Sequence, residues 1–84
     1  MESSEPRPLI AIVDDDLASA NLLAMVLEAD YDSFIATSGI EAIAMIRGRQ
    51  PDLVLLDIML PDISGYETCV ALQAEPATSK IPVI

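Results

Sequence analysis

The chain has 84 residues, enough for one domain at most, and 52% of them are hydrophobic. Fourteen acidic and four basic residues give a net charge of −10, which disfavours direct nucleic-acid binding because phosphate contacts need clustered Lys and Arg. One cysteine and no histidine exclude an internal disulfide, the common Cys/His zinc sites, and serine or cysteine nucleophiles activated by histidine.

The first eight residues, MESSEPRP, are polar and contain two prolines, which indicates a flexible lead into a domain that spans residues 9–84. The lead is acidic, unlike the positively charged start of a signal peptide. No apolar run approaches the roughly 18 residues that a membrane-spanning helix needs. We therefore expect a cytoplasmic protein without a membrane segment.

An apolar run opens the predicted domain. LIAIVD (residues 9–14) is continuous and β-branched, which favours a strand that is buried on both faces. Asp16 has the chemistry of a helix N-cap, and apolar residues repeat at helical spacing from there to about Ala29. DSFIAT (residues 32–37) then predicts a second strand.

The same alternation of strands and helices continues to Ile84. Ser38, with a glutamate three positions later, forms a capping-box pattern that opens a second helix. DLVLLD (residues 52–57) predicts a third strand, and Ser64 opens a third helix with another capping-box pattern. IPVI (residues 81–84) begins a fourth strand. Strands that alternate with helices predict right-handed βαβ units, and so a parallel sheet between two layers of helices.

Carboxylates follow two of these strands. Asp14 and Asp15 end the first, and Asp57 ends the third. In a sheet of order 2-1-3-4 these strands are neighbours, and their carboxyl ends flank the point where open α/β sheets bind ligands. Two carboxylates about 5 Å apart repel by about 3 kcal/mol at an effective dielectric near 20, so either one stays protonated or a cation lies between them. A hard cation such as Mg²⁺ is the natural occupant. An aspartate beside Mg²⁺ can attack phosphorus and hold an acyl phosphate.

Three segments match a known family. IAIVDDD, LVLLDIMLPDISGYE and TSKIPVI, in this order, resemble the receiver domain of bacterial two-component response regulators. The resemblance implies a flavodoxin-like fold and a Mg²⁺-dependent signalling module, not an enzyme, that takes a phosphoryl group from a histidine kinase or phosphotransfer protein. By position, Asp57 resembles the phosphoacceptor, and Asp14 and Asp15 the metal-binding pair. The backbone carbonyl of Met59 resembles a further metal ligand, and Pro61 and Gly65 match the active-site loop, where glycine suits a backbone conformation that other residues resist.

The family pattern has five strands and five helices, so the resemblance implies a receiver truncated after the start of strand four, with the fifth strand missing. The family's phosphoryl-sensing Ser or Thr ends strand four and its Lys ends strand five, and neither position is present. Lys80 is no substitute because it precedes strand four, about 13 Å from the carboxyl end. We therefore expect impaired switching.

Two alternatives remain open. Asp14 and Asp16, two residues apart after the first strand, resemble the nucleophile motif of haloacid-dehalogenase-type phosphohydrolases, although that interpretation leaves Asp57 unexplained. The second alternative is a module that binds a partner without phosphorylation. A shortened receiver would also leave apolar sheet residues uncovered, so we expect self-association. The uncovered residues are expected to include some of Ile10, Ile12, Leu53, Leu55 and Val83.

Overall fold

A computed structural model of the chain describes residues 7–84. Within this range it contains the strands β1 (Leu9–Val13), β2 (Asp32–Ala36) and β3 (Leu53–Leu56), and the helices α1 (Leu17–Leu27), α2 (Gly39–Arg49) and α3 (Gly65–Ala74). The strands form one parallel sheet in the order β2-β1-β3, with Ile12 paired to Ile35 on one side and Leu55 on the other. The carboxyl ends of β1 and β3 therefore lie side by side.

Strand β1 is buried on both faces, which explains why its sequence is a continuous apolar run rather than an alternating one. Ile10 and Ile12 lie on the α1 side of the sheet, in a cluster with Ala20. Ala11 and Val13 lie on the opposite face, in the cluster to which α2 and α3 contribute. The buried helix residues of that second cluster are Ala42, Ile46 and Leu72. The predicted three-layer arrangement is confirmed.

Two of the five candidates for uncovered sheet residues are buried. Ile10 and Ile12 are only 4% and 2% exposed, because α1 covers the face on which they lie. Leu53, Leu55 and Val83 are half-buried.

Both predicted capping patterns begin a helix, but only one is a complete capping box. Ser64 Oγ accepts from the Glu67 N–H at 3.0 Å, and the Glu67 carboxylate accepts from the Ser64 N–H at 3.0 Å. At α2, Ser38 Oγ accepts from the Glu41 N–H at 3.1 Å. The Glu41 carboxylate instead accepts from the N–H of Thr37, one residue before the cap, at 2.7 Å. The second half of this box is therefore displaced by one residue.

The predicted fourth strand is present only as an isolated bridge between Val83 and Val54, parallel to β3. The Val54 N–H donates to the Pro82 carbonyl at 2.9 Å, and the Ile84 N–H donates to the Val54 carbonyl at 2.9 Å. Proline has no N–H, so pairing along this segment begins only at the carbonyl of Pro82. The segment lies where the order 2-1-3-4 places it, next to β3.

Residues 1–6 of the predicted flexible lead lie outside the described residues. Residues 7 and 8 form hydrogen bonds with the segment that runs from the end of α1 to the start of β2. The Arg7 guanidinium donates to the carbonyls of Glu28 and, at 2.9 Å, Tyr31, and it lies 3.8 Å from an Asp32 carboxylate oxygen. The Pro8 carbonyl accepts from the Asp32 N–H at 2.9 Å. Over residues 7–84 no helix has the length and apolar character needed to cross a bilayer.

Candidate functional site

The sheet itself positions the two strand-ending aspartates. The Asp57 N–H donates to the Val13 carbonyl at 2.9 Å, so its backbone is still hydrogen-bonded to β1. The Asp14 N–H donates to the Ala36 carbonyl of β2 at 3.0 Å. These backbone hydrogen bonds fix the positions of both aspartates at the carboxyl edge of the sheet.

Asp14, Asp15 and Asp57 come together at this edge. Each offers a carboxylate oxygen, and the three oxygens lie within 4.8 Å of one another. Asp14 and Asp57 are half-buried, whereas Asp15 is exposed. Opposite ligands of an octahedral Mg²⁺ ion are about 4.2 Å apart, given bonds of about 2.1 Å, so small side-chain rotations would close this set around the ion. The carboxylate oxygens are the chemistry that magnesium prefers, and they lie close enough to reach one ion after such rotations.

Asp16, the acid partner in the phosphohydrolase alternative, is fully used as the N-cap of α1. One carboxylate oxygen accepts from the N–H groups of Ala18 at 3.1 Å and Ser19 at 3.4 Å, and the other accepts from the Ser19 hydroxyl at 2.8 Å. These bonds, that of the Ser19 hydroxyl first, lower the pKa of Asp16. A general acid must hold a proton at neutral pH, so this environment does not suit the role.

The loop between β3 and α3 (residues 57–64) and the first residue of α3 carry the remaining predicted site residues. The Met59 N–H donates to an Asp57 carboxylate oxygen at 3.3 Å, and the Gly65 N–H donates to the Ile58 carbonyl at 2.8 Å. Both bonds hold the start of the loop close to Asp57. Pro61 is exposed in the same loop.

Gly65 is at the predicted position for a different reason from the one expected. No glycine in the described residues has a positive φ, so Gly65 is not needed for an unusual backbone conformation. A Cβ atom at Gly65 would lie 2.4 Å from the Asp57 carbonyl oxygen and 2.7 Å from Ile58 Cα. Glycine is required here because the first turn of α3 lies directly against the backbone of Asp57.

Asp62 is a residue of this loop that sequence reasoning missed. Its two carboxylate oxygens accept from the N–H groups of Gly39 and Ile40 at the start of α2, each at 2.8 Å. Backbone hydrogen bonds, that of Ile40 first, lower the pKa of Asp62 to about 2. No local pattern links Asp62 to a helix that begins 23 residues earlier. Only the topology, which brings this loop beside α2, could have suggested the contact.

The lowered pKa predicts how this contact responds to acid. Its contribution to stability is fully present above the ordinary pKa of 3.8 and is lost as the pH falls through about 2. We expect the amide NMR shifts of Gly39 and Ile40 to hold nearly constant between about pH 5 and pH 3 and to move only below that. Asp62→Asn should abolish this transition. A midpoint near 3.8 in the unsubstituted chain contradicts the prediction.

A cavity of about 350 Å³ opens beside the acidic cluster. Asp14 and Asp57 contribute its charged lining, and the remainder is apolar. The apolar lining residues are Ile12, Val13, Leu23, Leu55, Leu56 and Ile84. This arrangement leaves room beside Asp14 and Asp57 for a small group.

Comparison with known proteins gives a consistent result. Residues 10–84 match the family model described as the response regulator receiver domain. The DNA-binding dual master transcriptional regulator RpaA of Synechocystis is 42% identical over 78 residues, which make up 92% of this chain and 32% of that protein. The chain thus spans about a third of the length of the curated relatives it matches.

Solved receiver structures share the fold. The N-terminal domain of a response regulator receiver protein from Methanoculleus marisnigri superposes with a TM-score of 0.86 at 38% identity, covering 89% of this chain and 62% of that one. The receiver domain of a Pseudomonas aeruginosa sensor histidine kinase, solved with magnesium coordinated in its active-site cleft, has a TM-score of 0.86 at 22% identity. The superposition covers 92% of this chain and 64% of the Pseudomonas aeruginosa domain. The predicted flavodoxin-like fold is confirmed.

Proposed function

The chain belongs to the response regulator receiver domain family, and on that premise we propose that it accepts a phosphoryl group on Asp57 in a two-component pathway. The single observation that carries the proposal is the cluster of Asp14, Asp15 and Asp57 at the adjoining ends of β1 and β3. Among residues 7–84 only Met59 donates to the Asp57 side chain, at 3.3 Å, which leaves the carboxylate available to react.

In the proposed reaction an Asp57 carboxylate oxygen attacks the phosphorus of a phosphohistidine on a histidine kinase or phosphotransfer protein. A P–O bond forms, the P–N bond breaks, and its electron pair returns to the imidazole nitrogen, which leaves an aspartyl phosphate. Asp14, Asp15, Asp57 and the Met59 carbonyl would hold Mg²⁺, which when bound neutralises charge on the phosphoryl oxygens. The sheet bonds of Asp14 and Asp57 keep the acids in position throughout.

The proposal is tested by incubating the chain with acetyl phosphate and Mg²⁺ and mapping the modified residue by mass spectrometry. We expect one phosphoryl group on Asp57 and none when the metal is chelated. Label on Asp14 would instead support the phosphohydrolase alternative. No label on any aspartate would support a module that binds its partner without phosphorylation.

The metal site gives a separate prediction. Asp15 is exposed and accepts no hydrogen bond from the other described residues, so Asp15→Asn should leave the fold intact. We expect at least about tenfold weaker Mg²⁺ binding by calorimetry, since the loss of even an outer-shell partner costs 10–100-fold. Asp16→Asn is the matched control, because it removes the same charge and asparagine caps a helix as well as aspartate does. Equal affinity losses in both variants would rule out Asp15 as a ligand.

We also propose that the 84-residue chain self-associates through its half-buried sheet residues. Leu53 and Leu55 lie on the α1 side of the sheet, and Val83 lies beside β3. Burial of apolar surface against a second copy is favourable at about 25 cal/mol per Å². Sedimentation equilibrium at micromolar concentration tests this proposal, and a stable monomer would contradict it.

A further inference from the structure

We propose that Asp62 is a positioning residue that holds the β3–α3 loop, and with it the Met59 carbonyl, in the place where Mg²⁺ needs it. This inference rests on the proposed function and assigns a role to a residue that touches neither metal nor phosphoryl group. The observation behind it is the pair of 2.8 Å hydrogen bonds from the Gly39 and Ile40 N–H groups to the Asp62 carboxylate.

Hydrogen bonds hold the β3–α3 loop at Ile58 and at Asp62, but few bonds hold the residues between them. At its start, the Gly65 N–H bonds to the Ile58 carbonyl at 2.8 Å. At its far side, Asp62 bonds to α2. Between these points the described residues supply one hydrogen bond, from the Met59 N–H to Asp57 at 3.3 Å. The direction of the Met59 carbonyl therefore depends on how well the two ends are held.

Asp62 also completes the start of α2. The first N–H groups of a helix have no partner within it, and those of Gly39 and Ile40 are satisfied by Asp62. The next, Glu41, is satisfied by Ser38 Oγ at 3.1 Å. A carboxylate is favourable at this end of a helix because of the helix dipole. Two bonds to two successive N–H groups fix both the position and the tilt of the carboxylate, so α2 serves as a rigid anchor.

Packing alone would not provide this orientation. A Cβ atom at Gly39 would lie 2.4 Å from Ile63 Cγ1 and 2.5 Å from Thr68 Oγ1, so the loop lies directly on the first turn of α2. Leu60 packs against the main apolar cluster. Such contacts are non-directional and allow a peptide group to rotate, whereas the paired hydrogen bonds of Asp62 do not.

The test compares Asp62→Ala with Ser38→Ala in Mg²⁺ titrations of the chain, followed by NMR. Both changes remove a side-chain cap from the start of α2, but only the first releases the loop. We expect about tenfold weaker Mg²⁺ binding in Asp62→Ala and a reduced metal-induced shift of the Met59 carbonyl carbon, with Ser38→Ala within about twofold of the unsubstituted chain. Asp62→Asn keeps one acceptor oxygen and should recover part of the loss.

Asp52→Ala controls for the lost charge. The Asp52 carboxylate also accepts a backbone N–H, that of Leu9 at 2.7 Å, but it lies at the opposite end of β3. We expect the Mg²⁺ affinity of Asp52→Ala to stay within about twofold of that of the unsubstituted chain. Equal affinity losses in Asp62→Ala and in either control would overturn the positioning role. If the unsubstituted chain binds no Mg²⁺ at millimolar concentration, the proposed function fails and this inference fails with it.

Discussion

Asp57→Asn should reduce phosphoryl uptake from acetyl phosphate to background, a loss of about three orders of magnitude or more, as expected when a nucleophile is removed. The amide nitrogen that replaces a carboxylate oxygen carries no negative charge and cannot form an acyl phosphate. The substitution should not unfold the chain, because it relieves repulsion within the cluster of Asp14, Asp15 and Asp57. Intact-mass spectrometry after incubation with the donor and Mg²⁺ measures the effect.

Asp52→Asn is the matched control for this result. It removes the same charge, and its amide oxygen can still accept the Leu9 N–H that Asp52 binds at 2.7 Å. We expect phosphoryl uptake within about twofold of the unsubstituted chain, since Asp52 lies at the opposite end of β3. Persistent modification of Asp57→Asn, at the same rate as the control, would show that another residue is the acceptor.

Gly65→Ala should destabilise the chain by about 1–3 kcal/mol and weaken Mg²⁺ binding at the same time. The added methyl group would lie 2.4 Å from the Asp57 carbonyl oxygen and 2.7 Å from Ile58 Cα. Both are backbone atoms, so relief requires movement of the segment that carries the acceptor. Urea unfolding measures the stability change, and calorimetric titration measures the affinity.

Gly48→Ala offers a matched control in the last turn of α2. A Cβ built at Gly48 would meet no atom within 4 Å beyond its chain neighbours and the backbone of its own helix, and alanine is the better helix former. We therefore expect this variant to be more stable by about 0.5–1 kcal/mol, with unchanged Mg²⁺ binding. If both glycine variants gain stability, the close approach of α3 to Asp57 is not a constraint.

Much of the fold could be predicted because it depends on local patterns. The apolar run before Asp14 becomes the central strand, Asp16 caps α1, and the Ser64–Glu67 box begins α3. The meeting of Asp14 with Asp57 was also predictable, although 43 positions separate them. Parallel strands place their carboxyl ends at the same edge, so the strand order alone brings these acids together.

Other features of the site depend on tertiary contacts that no local sequence pattern indicates. The bonds of Asp62 to α2 join segments that only the tertiary fold brings together. The reason for Gly65 is the proximity of another backbone, which is indistinguishable in sequence from a need for unusual torsion angles. Which of the candidate sheet residues are covered depends on how far α1 extends over the sheet, and Ile10 and Ile12 are buried beneath it.

The bonds of Arg7 affect where the amino-terminal boundary of this domain should be set for protein production. Helix α1 has no basic residue in its last turn, and Arg7 supplies a guanidinium to the carbonyls of Glu28 and Tyr31. A shortened version that begins at Leu9, the first residue of β1, would discard this cation together with the Pro8 carbonyl that pairs with Asp32. Recombinant versions should therefore begin no later than Arg7, with any affinity tag placed ahead of it.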